Sequence, residues 1–279
     1  MNMTEKTFHR CREEKRNALI GYITGGDPNP DESFKILDAV CAAGVDILEL
    51  GIPFSDATAD GPVIQRASHR ALCGGSSVAT CLQLGGRLRK RHLDKPIILF
   101  GYYNPILAYG PKRFVMDAIE TGLNGVLCVD LPAEHFDEIR SFVPEDQAFD
   151  LITLIAPTTT PERMAKILPK ATGFVYIQSR SGVTGIRTEN VPDSIDALQK
   201  QAYCVREKTN IPTAIGFGIS NASQAGVVAP FCDGVVVGSA LVRLIEKYID
   251  PKTGLFNSED AVQELTGLVQ SLRLSLNRS

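Results

Sequence analysis

The sequence predicts a (β/α)8 barrel, an α/β fold of TIM-barrel type with an extra N-terminal helix, and three observations carry that prediction. Eight short apolar runs alternate with helix-like segments, the pattern of a parallel sheet wrapped by helices. Most of the runs are near-continuously apolar, as strands covered on both faces must be. The residues capable of chemistry cluster just after the runs end, on the face where such barrels carry their active sites. An open doubly wound sheet would satisfy the first two observations, and the count of eight favours closure. A length of 279 residues suits one barrel domain spanning 1–279, and no linker or compositional break divides it.

Taken in order, Met3–Arg16 reads as an added helix that closes the bottom of the barrel. Strands are expected at Ala18–Ile23, Val45–Leu50, Pro96–Gly101, Gly125–Asp130, Ala148–Ile155, Gly173–Gln178, Ile211–Gly216 and Asp233–Gly238. Helices are expected at Glu32–Ala43, Ser76–His92, Pro111–Thr121, Ala133–Phe142, Pro161–Leu168, Ser194–Thr209 and Asn221–Ala229, with Ser258–Leu274 as the last outer helix. Pro30-Asp31-Glu32, Thr160-Pro161-Glu162 and Ser220-Asn221 are start signals for three of them.

A net charge of −3 gives no basic face for nucleic acid. The basic run Arg87–His92 ends a helix, where cations suit the macrodipole and are solvated. Seven scattered cysteines with no metal-type spacing read as free, buried thiols in a reducing compartment. Met1–Arg16 is charged and lacks the apolar core of a secretory signal, and no stretch is apolar for long enough to span a membrane. A cytoplasmic location is expected. Histidines 9, 69, 92 and 135 are isolated, so no metal site is expected.

The most informative stretch is Leu48-Glu49-Leu50-Gly51-Ile52-Pro53-Phe54-Ser55-Asp56-Ala57-Thr58-Ala59-Asp60-Gly61-Pro62. It sets one carboxylate at the end of an apolar strand and a second in a loop of turn formers. Burial raises the pKa of Glu49 toward working pH, so that it can both give and take a proton. Asp60, in a polar loop, should ionise more easily. Carboxylates whose surroundings push their pKa values apart divide acid and base roles between them.

Gly216-Phe217-Gly218-Ile219-Ser220 and Gly238-Ser239 follow strands seven and eight, where barrels hold phosphate on backbone N–H groups and a helix N-terminus. Gly185 could add a third N–H. No Walker lysine pattern points to a nucleoside triphosphate. The loop Ser179–Asn190, with Gly182, Gly185, Arg180 and Arg187, has the length and glycines of a lid, and an ordinary disordered loop would have the same composition. Tyr22, Phe100, Tyr102, Leu127, Val129, Tyr176 and Phe217 lie near strand ends and could line a slot for a flat ring.

With these segments in hand, the chain resembles the tryptophan synthase alpha chain from Gly21-Tyr22-Ile23-Thr24-Gly25-Gly26-Asp27-Pro28 to Gly238-Ser239-Ala240. The Leu-Glu-Leu-Gly-x-Pro-Phe-Ser-Asp…Ala-Asp-Gly-Pro block is the most specific part. The resemblance implies a lyase that cleaves indole-3-glycerol phosphate to indole and glyceraldehyde 3-phosphate. It implies that Glu49 protonates indole C3 and helps collapse the glycerol hydroxyl, while Asp60 holds the indole N–H. Tyr176 would neighbour Glu49, and Thr184 would bond to Asp60 on lid closure. Phe100, Leu127, Val129 and Phe217 would sandwich the ring, and Gly185, Gly218, Gly238 and Ser239 would grip the phosphate. A beta chain carrying pyridoxal phosphate is the implied partner, in a heterotetramer of two alpha and two beta chains, meeting Pro53–Asp56 and the region of Asn104. No cofactor is implied in this chain.

Two departures stand out. Ala57 occupies a position where the family usually has Pro, which loosens the loop bearing Asp60. Tyr22 replaces a common Phe and adds a hydroxyl. The alternatives are another phosphate-binding barrel of tryptophan or histidine biosynthesis, a free-standing lyase, and a regulatory subunit that activates a beta chain. The first would place Lys or a further Asp where Glu49 stands, and retention of Glu49, Asp60 and Thr184 speaks against the last.

Overall fold

The computed structural model describes residues 1–178, 191–216 and 218–277, with backbone only at 191–194. Its strands are β1 Ala18–Thr24, β2 Ile47–Gly51, β3 Ile97–Gly101, β4 Gly125–Cys128, β5 Asp150–Leu151, β6 Thr153–Ile155, β7 Val175–Gln178, β8 Thr213–Gly216 and β9 Gly234–Val237. All pair in parallel, in the order β5-β4-β3-β2-β1-β9-β8-β7-β6. The two ends of that order flank a single residue, Ile152, whose N–H donates to the Val126 carbonyl at 3.0 Å. The ring therefore closes through one strand split in two, and the nine strands are the eight expected. First and last strands meet in register, Ala18 against Gly234 and Gly21 against Val237.

Outside the ring lie α1 Met3–Glu13, α2 Pro30–Ala43, α3 Pro62–Cys73, α4 Val78–Arg91, α5 Tyr103–Tyr109, α6 Pro111–Glu120, α7 Asp137–Arg140, α8 Pro161–Ile167, α9 Val191–Arg206, α10 Ala222–Val228, α11 Ser239–Lys247 and α12 Ser258–Ser275. Asparagine or hydroxyl side chains cap α1, α2, α4, α8, α10 and α12, each accepting from an N–H of the first turn. Proline at the first turn starts α2, α3, α6 and α8, where its missing N–H costs nothing.

Strand residues alternate between two apolar cores. Leu19, Ile23, Leu48, Leu50, Ile97 and Leu99 face the helices. Ala18, Ile20, Ile47, Ile98, Leu127 and Phe174 fill the barrel interior, where Phe8 from α1 joins them, 5.8 Å from the Phe174 ring. The added helix thus plugs the N-terminal end. Arg16, just past α1, makes a two-pronged bond to Asp46 at 2.7 and 2.8 Å, and Asp46 also accepts from the Leu19 N–H. Both partners are buried, so the fork offsets a desolvation cost that either charge alone would carry.

Some expectations need correction. The segment Ala133–Phe142 is a 3-10 turn, Ala133–His135, followed by the four-residue α7. Helices α3, α5 and α11 add to the expected set, and none of them has a capping side chain to announce it. Cys73 is exposed and Cys204 only partly covered, while the other five cysteines are buried. The basic run is less solvated than composition implies: Arg89 donates to the Gly122 carbonyl and to Asn124, and Arg87 stacks 3.9 Å from the Phe34 ring centre. Among the described residues no helix is long and apolar enough to cross a membrane, and no cluster of three or more metal-type ligands occurs.

Candidate active site

At the C-terminal mouth of the barrel a cavity of about 160 Å³ opens between the strand ends. Tyr22, Glu49, Phe100, Val129, Leu154, Tyr176 and Gln178 reach it from six strands and the turns that follow them. Alternation explains the set: Glu49 points inward from β2 with Leu48 and Leu50 turned to the helices, and Tyr176 and Gln178 share the inward face of β7. The two tyrosines lean over neighbouring strands. A Cβ at Gly51 would collide with the Tyr22 hydroxyl, and one at Gly216 with the Tyr176 hydroxyl, so both close approaches require glycine. Tyr22 meets the Phe100 ring edge-on, with centres 5.1 Å apart, and Phe100 lies 6.4 Å from Tyr176. Together they make an aromatic wall.

Glu49 is fully buried, and neither carboxylate oxygen has a hydrogen-bond partner. Burial alone pushes its pKa up to about 8. An unpaired charge in that position would be costly, so at neutral pH the group holds its proton. Asp60 differs. The Tyr102 hydroxyl donates to its Oδ2 at 3.0 Å while accepting from the Ala59 N–H at 3.0 Å. Burial raises the Asp60 pKa to about 6 and the Tyr102 bond holds it down. The expectation that Asp60 stays ionised more easily survives in order but not in degree, because Asp60 itself is partly buried while the loop around it is mostly exposed. Gln65 of α3 secures that loop, donating to the carbonyls of Ala57 and Asp60 at 3.2 and 3.0 Å.

Helix α11 begins at Ser239, on the same cavity and two strands from Glu49. Its cap residue Gly238 offers no side chain to the first-turn N–H groups, and Gly218, Gly238 and Ser239 line the cavity. Uncapped N–H groups and the positive end of the helix suit an anion. By contrast Asn221 caps α10, so the neighbouring helix start is already satisfied.

Of the expected contacts, Tyr22, Phe100, Val129 and Tyr176 line the cavity. Tyr102 does not; it is buried and serves Asp60 instead. Leu127 is fully buried in the interior core, one inward position deeper than Val129, and does not reach the cavity. Thr184, Gly185, Phe217 and the loop Ser179–Asn190 with Arg180 and Arg187 lie outside the described residues. The sequence reading missed Ile64, which comes from the unanticipated α3, and Gln178, which alternation from Tyr176 could have found.

Fold and cavity together define a barrel enzyme of the (β/α)8 class, with two unlike carboxylates at its catalytic face. The family model for the tryptophan synthase alpha chain matches residues 8–272. Alpha chains from Desulfosudis oleivorans and Desulfatibacillum aliphaticivorans are 47% and 45% identical to it, covering 89% and 90% of this chain and 92% of each relative. The crystal structure of the alpha subunit from Legionella pneumophila superposes with a TM-score of 0.86 at 35% identity, over 99% of this chain and 98% of that one. A Mycobacterium tuberculosis tryptophan synthase structure gives 0.86 at 32% identity, over 99% and 98%. The chain belongs to the tryptophan synthase alpha chain family.

Proposed function

We propose that Glu49 and Asp60 carry out the family's retro-aldol cleavage of indole-3-glycerol phosphate, yielding indole and glyceraldehyde 3-phosphate for L-tryptophan biosynthesis. The observation that supports this reading is the buried, unpartnered Glu49 facing a cavity that also holds the partly buried Asp60.

Neutral Glu49 gives its proton to indole C3, and the positive charge that results on the ring nitrogen rests against the Asp60 carboxylate. The Glu49 carboxylate then takes the proton of the hydroxyl on the adjacent glycerol carbon. The carbon–carbon bond breaks, its electrons restore the indole, and the hydroxyl carbon becomes the aldehyde. Glu49 ends protonated, as it began. Tyr22, Phe100, Val129 and Tyr176 hold the ring, and Gly218 after β8, together with Gly238 and Ser239 at the start of α11, holds the phosphate. Thr184, Gly185 and Phe217 keep their proposed roles on the lid, the phosphate and the ring. The chemistry needs side chains alone; pyridoxal phosphate belongs, on this reading, to the partner beta chain.

That partner would dock on the mouth side, where Leu107 of α5, 54% exposed, stands beside Asn104. Two alpha and two beta chains, in the cytoplasm, complete the assembly, with each alpha chain acting as one barrel domain. Purified chain incubated with indole-3-glycerol phosphate should release indole slowly, and a cognate beta chain should accelerate release at least tenfold. Absence of release under both conditions would reject the catalytic reading in favour of a regulatory subunit.

A further inference from the structure

Helix α3 begins two residues after Asp60 and sends Ile64 to the cavity; helix α11 begins at Ser239 on the adjoining stretch of the cavity wall. The two lie side by side, with Ile64, Ala67 and Val242 packed around Tyr22 in one apolar cluster. About two turns below the cavity, roughly 10 Å at 1.5 Å per residue, the seam turns ionic. Glu246 of α11 receives Arg66 through Nε at 2.6 Å and Nη2 at 2.8 Å, and Arg70 through Nη1 at 2.9 Å. Arg70 then grips Asp27 with Nε at 2.8 Å and Nη2 at 2.9 Å. Asp27 is fully buried in the loop after β1, so the chain of charges ties three elements whose other ends all form the cavity wall. Hydrogen-bonded guanidinium forks fix both distance and angle, which apolar packing does less sharply.

We propose that Glu246, with Arg66 and Arg70, is a positioning clasp that sets the spacing between the carboxylate Asp60 and the phosphate-holding start of α11. None of the three touches the cavity, so they act through the helices that do. The proposal rests on the assignment of phosphate to Gly238 and Ser239. Ångström-scale misplacement costs an enzyme up to about a hundredfold in rate, and a ligand feels the spacing only when it spans both half-sites.

The test compares three probes on the purified full chain and its Glu246→Gln and Arg70→Met variants. Glu246→Gln is the milder change, since it leaves Asp27 paired and buries no orphan charge. The probes are indole alone, glycerol 3-phosphate alone, and 3-(indol-3-yl)propyl phosphate, which joins both groups and cannot be cleaved. The clasp predicts that both variants bind each half-ligand within about twofold of the unaltered chain, while the spanning analogue weakens about five- to tenfold and kcat falls by more than KM rises. Unchanged affinity for the spanning analogue in either folded variant overturns the clasp, and so does a loss shared equally by all three probes. A different result would overturn the phosphate assignment itself: glycerol 3-phosphate binding that Ser239→Asp leaves intact.

Discussion

A carboxylic acid with no hydrogen-bond partner inside an apolar barrel favours its neutral form, and Glu49 is such a group. Its neighbour Asp60 ionises about two units lower because it is less covered and because Tyr102 donates to it. Between about pH 6 and 8 the pair therefore holds one proton in the arrangement that cleavage needs, on Glu49 and not on Asp60. The sign follows for the rate: kcat/KM should rise through about pH 6 as Asp60 ionises and fall through about pH 8 as Glu49 loses its proton. Tyr102→Phe removes the bond that favours the Asp60 anion, so the acid limb should move up by about one pH unit while the alkaline limb stays. A pH–rate profile with both limbs unmoved would detach Tyr102 from the site. Stability carries the opposite signature for Glu49. The folded chain keeps a proton that the unfolded chain loses above pH 4.5, so this group's contribution falls as pH rises from about 4.5 to 8. The site is held at a cost to the fold.

At the scale of elements, α1 shows how a local signal becomes a structural part. Asn2 and Glu5 satisfy each other's backbone N–H groups, the helix forms, and Phe8 is carried into the barrel floor against Phe174. Phe8→Ala should destabilise the chain by about 3–5 kcal/mol with little change in KM, measured by denaturant unfolding beside steady-state kinetics; a large KM change would mean that the floor and the mouth are coupled. Strands and long amphipathic helices were legible because continuous apolar runs and 3.6-residue stripes are written along the chain. The short helices were not. Helix α11 follows β9 after Gly238 alone, with no capping side chain to announce it, and α3 starts inside what reads as a turn-rich loop. The segment after β4 has helical composition, yet only four residues become α7. The Ala57 departure fits the same picture, since the Asp60 loop is secured by Tyr102 and Gln65 from two other elements.

For the whole molecule, closure of the ring turns a list of strand ends into one cavity. The strand count and the position of chemistry after each strand were enough to place Glu49, Asp60, Gly238 and Ser239 at a common mouth. Depth along the barrel axis was not legible, because it depends on the stagger between strands. Leu127 and Val129 both point inward from the same segment, yet one lies in the core and the other at the cavity. Tyr102 looked like a wall residue and instead turns to the Asp60 loop, a choice made by a loop arriving from another strand. The ion chain from Asp27 to Glu246 joins residues more than 200 positions apart and leaves no local pattern. The central claim is that the proton on Glu49 drives cleavage, and Glu49→Gln tests it most directly, since the amide keeps the shape and cannot shuttle a proton. Single-turnover indole release should fall by at least about a thousandfold while 3-(indol-3-yl)propyl phosphate still binds; release within tenfold of the unaltered chain, at matched binding, would contradict the account.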